Sequence, residues 1–214
     1  MTYSIVARDP ASGAVGVAAA TGLVAVGALV PHVRWGAGAV ATQGWATNPL
    51  YGPDGLELMA KGTEAETALA ALTRADAGRE SRQAILIDRA GRAAGWTGAD
   101  NREVAATICE ANVAVAGNML PSSTVLPEML RAFHAAKARP LEHRLAAALE
   151  AAERAGGDRR GTCSAALRVD DGRGYASVDL RIDHDDQPTR ALTRLLDLHA
   201  APEYQTFLDR LPKR

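Results

Sequence analysis

Pairs of apolar segments joined by short polar turns constrain this chain more than any other feature. Alternating and β-branched residues on both sides of a Gly-, Asp- or Pro-rich turn are typical of β-hairpins. Three such pairs occur: 3–8 with 14–20, 82–88 with 93–98, and the two segments that flank 170–174. Hairpins imply antiparallel sheets. Because the paired segments are largely apolar throughout, we expect both faces of each sheet to be covered.

Segments with apolar residues at helical spacing separate these hairpins. They predict helices at 54–61, 63–75, 122–137, 140–155 and 188–199, beside further strands at 36–43 and 112–117 and before a frayed tail. Thr63 followed by Glu66 is a capping-box signature for the start of the second helix. The order predicts an α+β fold in one domain over 1–214, a four-layer α/β/β/α sandwich of two stacked antiparallel sheets.

Composition excludes several classes of function. The 214 residues are 47% hydrophobic and 23% charged, which is an ordinary balance for one globular domain. A net charge of −1 argues against a general nucleic-acid binder, and the sequence has no apolar run long enough to span a membrane. Two cysteines and no secretory leader favour a cytoplasmic protein. The sequence has no nucleotide-binding glycine motif and no paired histidine motif, so we expect no cofactor and no metal.

The chain resembles the DUF1028 family over most of its length. The likeness is carried by TYSIVARDPASGAVGVA at the start and by VGALVP, GAVATQ, NPLYGPDGLELM, GGDRRG and VDLRID further on. The resemblance implies the fold of the N-terminal-nucleophile (Ntn) hydrolase superfamily, which includes proteasome β-subunits and many amidases. It also implies an amide-bond hydrolase.

Thr2 is the candidate nucleophile. A threonine hydroxyl needs a base, and a free N-terminal amine supplies one within the same residue. We expect Met1 to be removed and to expose that amine, although threonine is also a common second residue. Side chains alternate along a strand, so Ser4 shares a face with Thr2 and is a candidate to orient the amine or a water. A strand serine bonded only to the backbone is the alternative.

The chain departs from the proteasome pattern in its charged groups. Those relatives place an aspartate at the end of the second strand and a lysine further on, whereas this strand ends in Thr21 and no lysine precedes Lys61. Their charge relay is therefore not carried over. The resemblance does imply a role for Asn118, which looks like the asparagine that stabilises the oxyanion in other amidases of the superfamily. A turn or capping asparagine is the alternative.

Two segments are candidates for substrate binding. The third strand and the loop after it offer Thr42, Gln43, Asn48 and Tyr51. The second segment is the charged loop 156–161, where Arg159 or Arg160 is a candidate to bind a substrate carboxylate through two hydrogen bonds and Asp158 to hold an arginine or the N-terminal amine. A surface loop with a local ion pair explains the same residues.

These features predict an amide or cyclic-amide hydrolase that acts on a small molecule or short peptide. A non-catalytic small-molecule-binding or assembly protein on the same fold is the alternative, because a fold does not determine a function. We also expect a homodimer or a higher homo-oligomer, since the predicted helices present a surface rich in leucine and alanine.

Overall fold

Ten strands form two antiparallel sheets in the computed structural model, which describes residues 2–213. The six-stranded sheet has the order β10 (Val178–Ile182), β9 (Ser164–Asp170), β2 (Val15–Thr21), β1 (Thr2–Arg8), β8 (Val113–Asn118), β7 (Ala106–Glu110). The four-stranded sheet has the order β3 (Pro31–Arg34), β4 (Gly38–Gly44), β5 (Arg82–Asp88), β6 (Ala93–Thr97). The prediction of two antiparallel sheets is confirmed.

Six α-helices complete the described part of the chain. They are α1 (Tyr51–Ala60), α2 (Ala65–Ala75), α3 (Val125–Ala135), α4 (Leu141–Arg154), α5 (Pro188–His199) and α6 (Pro202–Asp209). The frayed tail predicted after 199 is wrong, because Pro202 opens a further helix there. Proline suits the first turn of a helix, since its fixed φ is helical and its missing N–H is not needed. None of these helices is long and apolar enough to cross a membrane.

The start of α2 differs from the capping-box prediction. The helix begins at Ala65, two residues after Thr63, and no side chain of its N-cap residue closes it. The carboxylate of Asp88, at the end of β5, accepts a hydrogen bond of 3.3 Å from the Ala65 backbone N–H instead. Asp88, which is distant in sequence, therefore caps the helix in place of Thr63.

Three apolar cores hold the elements together. One lies between the six-stranded sheet and α3, α4 and α5, and another lies between the four-stranded sheet and α1 and α2. The third lies between the two sheets and is built from small side chains such as Val6, Val17 and Ala41. Small side chains let the two sheets approach closely, which explains why the chain contains so much alanine and so few aromatic residues.

Strand β1 runs through the middle of the six-stranded sheet and contributes to two cores. Tyr3 and Ile5 pack toward the helices, whereas Val6 packs toward the other sheet. By the two-residue period of a strand, Thr2 and Ser4 lie on the face that looks at the other sheet. The start of β1 is therefore held between the two sheets.

Candidate functional site

Thr2 begins β1 at the centre of the larger sheet. It pairs with Thr21 at the end of β2 and with Asn118 at the end of β8. Its hydroxyl oxygen lies 3.0 Å from the hydroxyl oxygen of Thr21. Thr2 is only 9% exposed, so a small opening gives access to it. The strand pairing and this hydrogen bond together fix the direction of the Thr2 side chain.

A pocket of about 150 Å³ lies at this end of β1. Its polar lining consists of Thr2, Thr21, Gln43 and Thr47, and its other walls are apolar or glycine. The apolar walls come from the 23–30 segment after β2 and from Trp45 after β4. The start of β1, the end of β2 and the end of β4 therefore meet at the same pocket.

Buried amide groups connect the two sheets beside Thr2. Gln43 Nε2 donates to the Thr2 carbonyl oxygen at 3.2 Å and to Gln83 Oε1 at 2.8 Å. Asn118 Nδ2 also donates to Gln83 Oε1, at 3.1 Å, and Gln83 Nε2 donates to the Gly117 carbonyl oxygen at 2.9 Å. These bonds fix the start of β1 relative to the smaller sheet. Sequence reasoning missed Gln83, whose signal was a polar residue directly before the apolar run 84–87 of β5.

Three buried oxygens around Thr2 have no hydrogen-bond partner within residues 2–213. They are Ser4 Oγ, Gln43 Oε1 and Asn118 Oδ1. A buried acceptor without a donor is costly, by about 1–3 kcal/mol, so each such group in a folded protein calls for an explanation. Ser4 belongs to β1 and Asn118 to β8, so both lie in strands that meet at Thr2.

The charged loop lies next to the same strand end. Asp158 Oδ2 accepts a hydrogen bond of 2.5 Å from the backbone N–H of Gly22, the residue after Thr21. Arg160 donates hydrogen bonds to the Asp158 carboxylate, from its backbone N–H at 2.8 Å and from its guanidinium at 3.1 Å. Hydrogen bonding to this buried carboxylate raises the pKa of Arg160. Arg160 is thus engaged with Asp158, while Arg159 Nη2 donates to the Leu120 carbonyl oxygen at 3.4 Å.

Gly22 is required for this close approach. A Cβ atom at Gly22 would lie 2.6 Å from Asp158 Oδ2 and 2.6 Å from the carbonyl oxygen of Gly161. Cβ atoms in proteins essentially never lie within 3.0 Å of such a non-bonded atom. The absence of a side chain at Gly22 therefore lets the 158–161 loop pack against the end of β2.

Three of the predicted substrate residues, Thr42, Asn48 and Tyr51, have hydrogen-bond partners other than Thr2 in the structure. The Thr42 side chain lies on the opposite face of β4 from that of Gln43. Its hydroxyl donates to the Asn48 carbonyl oxygen at 2.9 Å. Asn48 Nδ2 and the Tyr51 hydroxyl both donate to Asp76 Oδ2, at 3.1 and 3.0 Å. None of the three residues lines the Thr2 pocket.

Asp76 is the centre of this separate polar cluster. Arg82 Nε donates to its Oδ2 at 3.0 Å. Hydrogen bonding by Arg82, and then by Asn48, holds the pKa of the Asp76 carboxyl well below its usual range. The pKa of the Tyr51 hydroxyl is raised, first by burial and then by its hydrogen bond to Asp76. These bonds connect the 44–51 loop to the end of α2, and Asn48, Tyr51 and Asp76 also line a second pocket of about 360 Å³.

Lysines and metal-binding groups are not part of the Thr2 site. No lysine lines the Thr2 pocket among the described residues, and Lys61 pairs with Glu57 and Lys213 with Asp209 on the surface. In the described part of the chain, no three His, Cys, Asp or Glu side chains are grouped closely enough to hold a metal ion. The polar groups at the site are therefore hydroxyls and amides, with the Asp158–Arg160 pair beside them.

Comparisons with other proteins agree on one family. The family model of DUF1028, a family of unknown function, matches residues 2–192. The crystal structure of SPO2555 from Silicibacter pomeroyi, a protein of that family, superposes with a TM-score of 0.93 at 37% sequence identity, covering 99% of this chain and 95% of that one. No curated protein matches the sequence. On the family match and this structural likeness, the chain belongs to the DUF1028 family.

Proposed function

We propose that this protein is an amide hydrolase that uses Thr2 as its nucleophile and the α-amine of Thr2 as its base, after removal of Met1. The observation that carries the proposal is the position of the Thr2 hydroxyl. It lies in a pocket at the end of a central strand and contacts Thr21. The substrate is a small molecule or short peptide with an ordinary or cyclic amide.

The reaction follows from the chemistry of a free N-terminal threonine. The neutral amine accepts the proton of Oγ1 while Oγ1 bonds to the carbonyl carbon of the substrate. The tetrahedral intermediate then breaks its C–N bond, and the ammonium gives its proton to the leaving nitrogen. Water, deprotonated by the same amine, hydrolyses the resulting Thr2 ester. An α-amine has a pKa of roughly 7.7–8.0, so a useful fraction is neutral near pH 7.5.

The unpartnered oxygens next to Thr2 support a free amine at this position. A free ammonium or amine carries more N–H donors than a peptide nitrogen, and buried acceptors require donors. Ser4 lies on the same face of β1, and Asn118 is paired with Thr2 across to β8. We assign Ser4 Oγ and Asn118 Oδ1 to positioning the amine. We assign the second N–H of Asn118 Nδ2 to the oxyanion, which requires Asn118, 1% exposed and outside the pocket lining, to become accessible when the substrate binds.

Thr21 takes the position at which proteasome-type relatives carry an aspartate. A neutral hydroxyl cannot lower the pKa of Thr2 as a charged relay does, so the α-amine has to act as the base alone. We assign Thr21 to orienting the Thr2 hydroxyl through their hydrogen bond. The Asp158–Arg160 pair holds the end of β2 in place through Gly22.

The finer description of the fold belongs to the same proposal. From one side to the other, helices α3–α5, the six-stranded sheet, the four-stranded sheet and helices α1–α2 are in contact through three cores. This order supports a four-layer α/β/β/α sandwich of the Ntn-hydrolase type. In that fold the first residue of a central strand is where an N-terminal nucleophile works.

Acylation by a β-lactone tests the proposal without knowledge of the substrate. Attack by a hydroxyl on the lactone carbonyl opens the ring and adds the whole lactone to the protein as an ester. We expect one adduct, on Thr2, detected by intact mass and peptide mapping. Thr2→Ala should lose the adduct and keep its circular dichroism spectrum, and Thr2→Ser should retain it. Equal labelling of Thr2→Ala would refute the assignment.

A non-catalytic binding protein is the second candidate, favoured by the largely apolar lining of the pocket. Such a pocket holds a ligand whether or not a reaction follows. Saturable binding of small amides with neither acylation of Thr2 nor hydrolysis would support this candidate over the enzyme.

We also propose a homodimer. Leu198 on α5 and Tyr204 and Phe207 on α6 are large apolar residues exposed on neighbouring helices. Exposed apolar groups that lie together mark interaction surfaces, and two-fold dimers are the commonest assemblies. Light scattering at micromolar concentration should give the mass of two chains, and a monomer mass would refute the proposal.

A further inference from the structure

Apolar side chains surround the opening of the Thr2 pocket. Leu23, Val24, Leu29 and Trp45 all line it, and all four are about half or more exposed. The guanidinium of Arg102 lies 3.9 Å from the centre of the Trp45 ring and holds that ring by a cation–π contact. Single exposed apolar residues are common, but a contiguous set around a pocket indicates a binding surface for an apolar group.

The lining contains no charged side chain among the described residues. The Asp158–Arg160 ion pair, which contacts Gly22, is not part of the lining. A charged substrate group inside this pocket would lose water and meet no counter-ion in the lining, since the Arg102 guanidinium beside it is stacked on the Trp45 ring, and this loss is unfavourable. A neutral group loses little water and gains apolar contact.

The volume limits the size of that group. A cavity of about 150 Å³ with aliphatic walls holds one benzene molecule, and the Thr2 pocket has about this volume. One phenyl ring or one branched aliphatic side chain therefore fills it. A longer chain would extend past Leu23 and Val24 into solvent.

We infer that the pocket selects substrates with one neutral, apolar group, of the size of a phenyl or isobutyl group, next to the carbonyl that Thr2 attacks. This inference rests on the proposed function for its reaction, whereas the binding preference is measurable without turnover. A neutral substrate group differs from the sequence-based prediction, in which Arg159 or Arg160 binds a substrate carboxylate. Val24 and Leu29 are the specificity-determining residues of the rim.

Four capped amino-acid amides test the inference: N-acetylphenylalanine amide, N-acetylleucine amide, N-acetylaspartate amide and Nα-acetyllysine amide. Binding is followed by the shift of the Trp45 indole N–H in an NMR titration, with Trp45→Phe to assign the signal, and hydrolysis by ammonia release. We expect the two neutral amides to bind at least about tenfold more tightly than the charged ones. Equal or tighter binding of the charged amides, or no binding of any, overturns the inference.

A pair of matched variants locates the preference. Val24→Lys should reduce the ratio of neutral-amide to aspartate-amide binding at least about tenfold, because the lysine supplies a counter-ion for the carboxylate. Leu50→Lys is the control, because Val24 and Leu50 are 64% and 63% exposed but only Val24 lines the Thr2 pocket. If Val24→Lys changes the mass in light scattering and leaves the ratio unaltered, the rim is a contact between copies and the inference is wrong.

The outcomes separate this inference from the proposed function. A neutral preference in binding without ammonia release supports the inference and counts against the hydrolase. Hydrolysis that favours the aspartate or lysine amide supports the hydrolase and overturns the inference.

Discussion

The hydroxyl oxygens of Thr2 and Thr21 lie 3.0 Å apart at the ends of two paired central strands. The register of β1 and β2 places the two residues opposite each other, so this contact is a direct result of how the first hairpin pairs. A hydroxyl, and not a carboxylate, therefore contacts the side chain of the proposed nucleophile.

Thr21→Val should slow acylation of Thr2 without unfolding the protein. Valine has the shape of threonine but cannot hydrogen-bond, so the Thr2 hydroxyl loses a partner worth about 1 kcal/mol, which corresponds to roughly fivefold in rate or more. Thr21→Ser should keep most of the rate. The measurement is the time course of β-lactone adduct formation. An unchanged rate in Thr21→Val would remove Thr21 from the site.

Gln83→Leu should destabilise the fold. Gln83 is fully buried and bonds Gln43, Asn118 and the Gly117 carbonyl, which belong to both sheets. Leucine would leave at least two buried polar groups unpaired, at about 1–3 kcal/mol each. Urea unfolding measures the loss of free energy of unfolding. Gln187→Leu, at an exposed position, is the control and should change it by less than about 0.5 kcal/mol.

The interior elements of this fold were predictable, and several polar contacts were not. Apolar segments such as 82–88 must be buried wherever they pair, so their sequence alone identifies them as strands. Strands β3 and β7 escaped prediction because they are short edge strands with part-exposed residues. The side chains of Asn48 and Tyr51 turn toward Asp76, a partner more than twenty residues away, and no local pattern specifies such a contact.

The Asp76 cluster predicts how stability depends on acid. The pKa of the Asp76 carboxyl is lowered in the folded protein, mainly by Arg82. Its contribution is complete above the unfolded pKa of about 3.9 and is lost as the pH falls toward the folded pKa. Urea unfolding between about pH 5 and pH 2 should therefore show a falling free energy of unfolding that is less steep in Asp76→Asn. The exposed Asp197→Asn should follow the wild-type curve, and equal slopes in all three proteins would contradict this account.

The central claim is that the free amine of Thr2 activates its own hydroxyl. Acylation should be compared between protein that begins at Thr2, verified by intact mass, and the same protein with an uncleavable N-terminal extension. The extension converts the amine to an amide nitrogen, which has no basic lone pair, so the account predicts that the β-lactone adduct on Thr2 disappears while the unfolding curve is retained. If the extended protein forms the adduct as fast as the protein that begins at Thr2, the N-terminal mechanism is wrong.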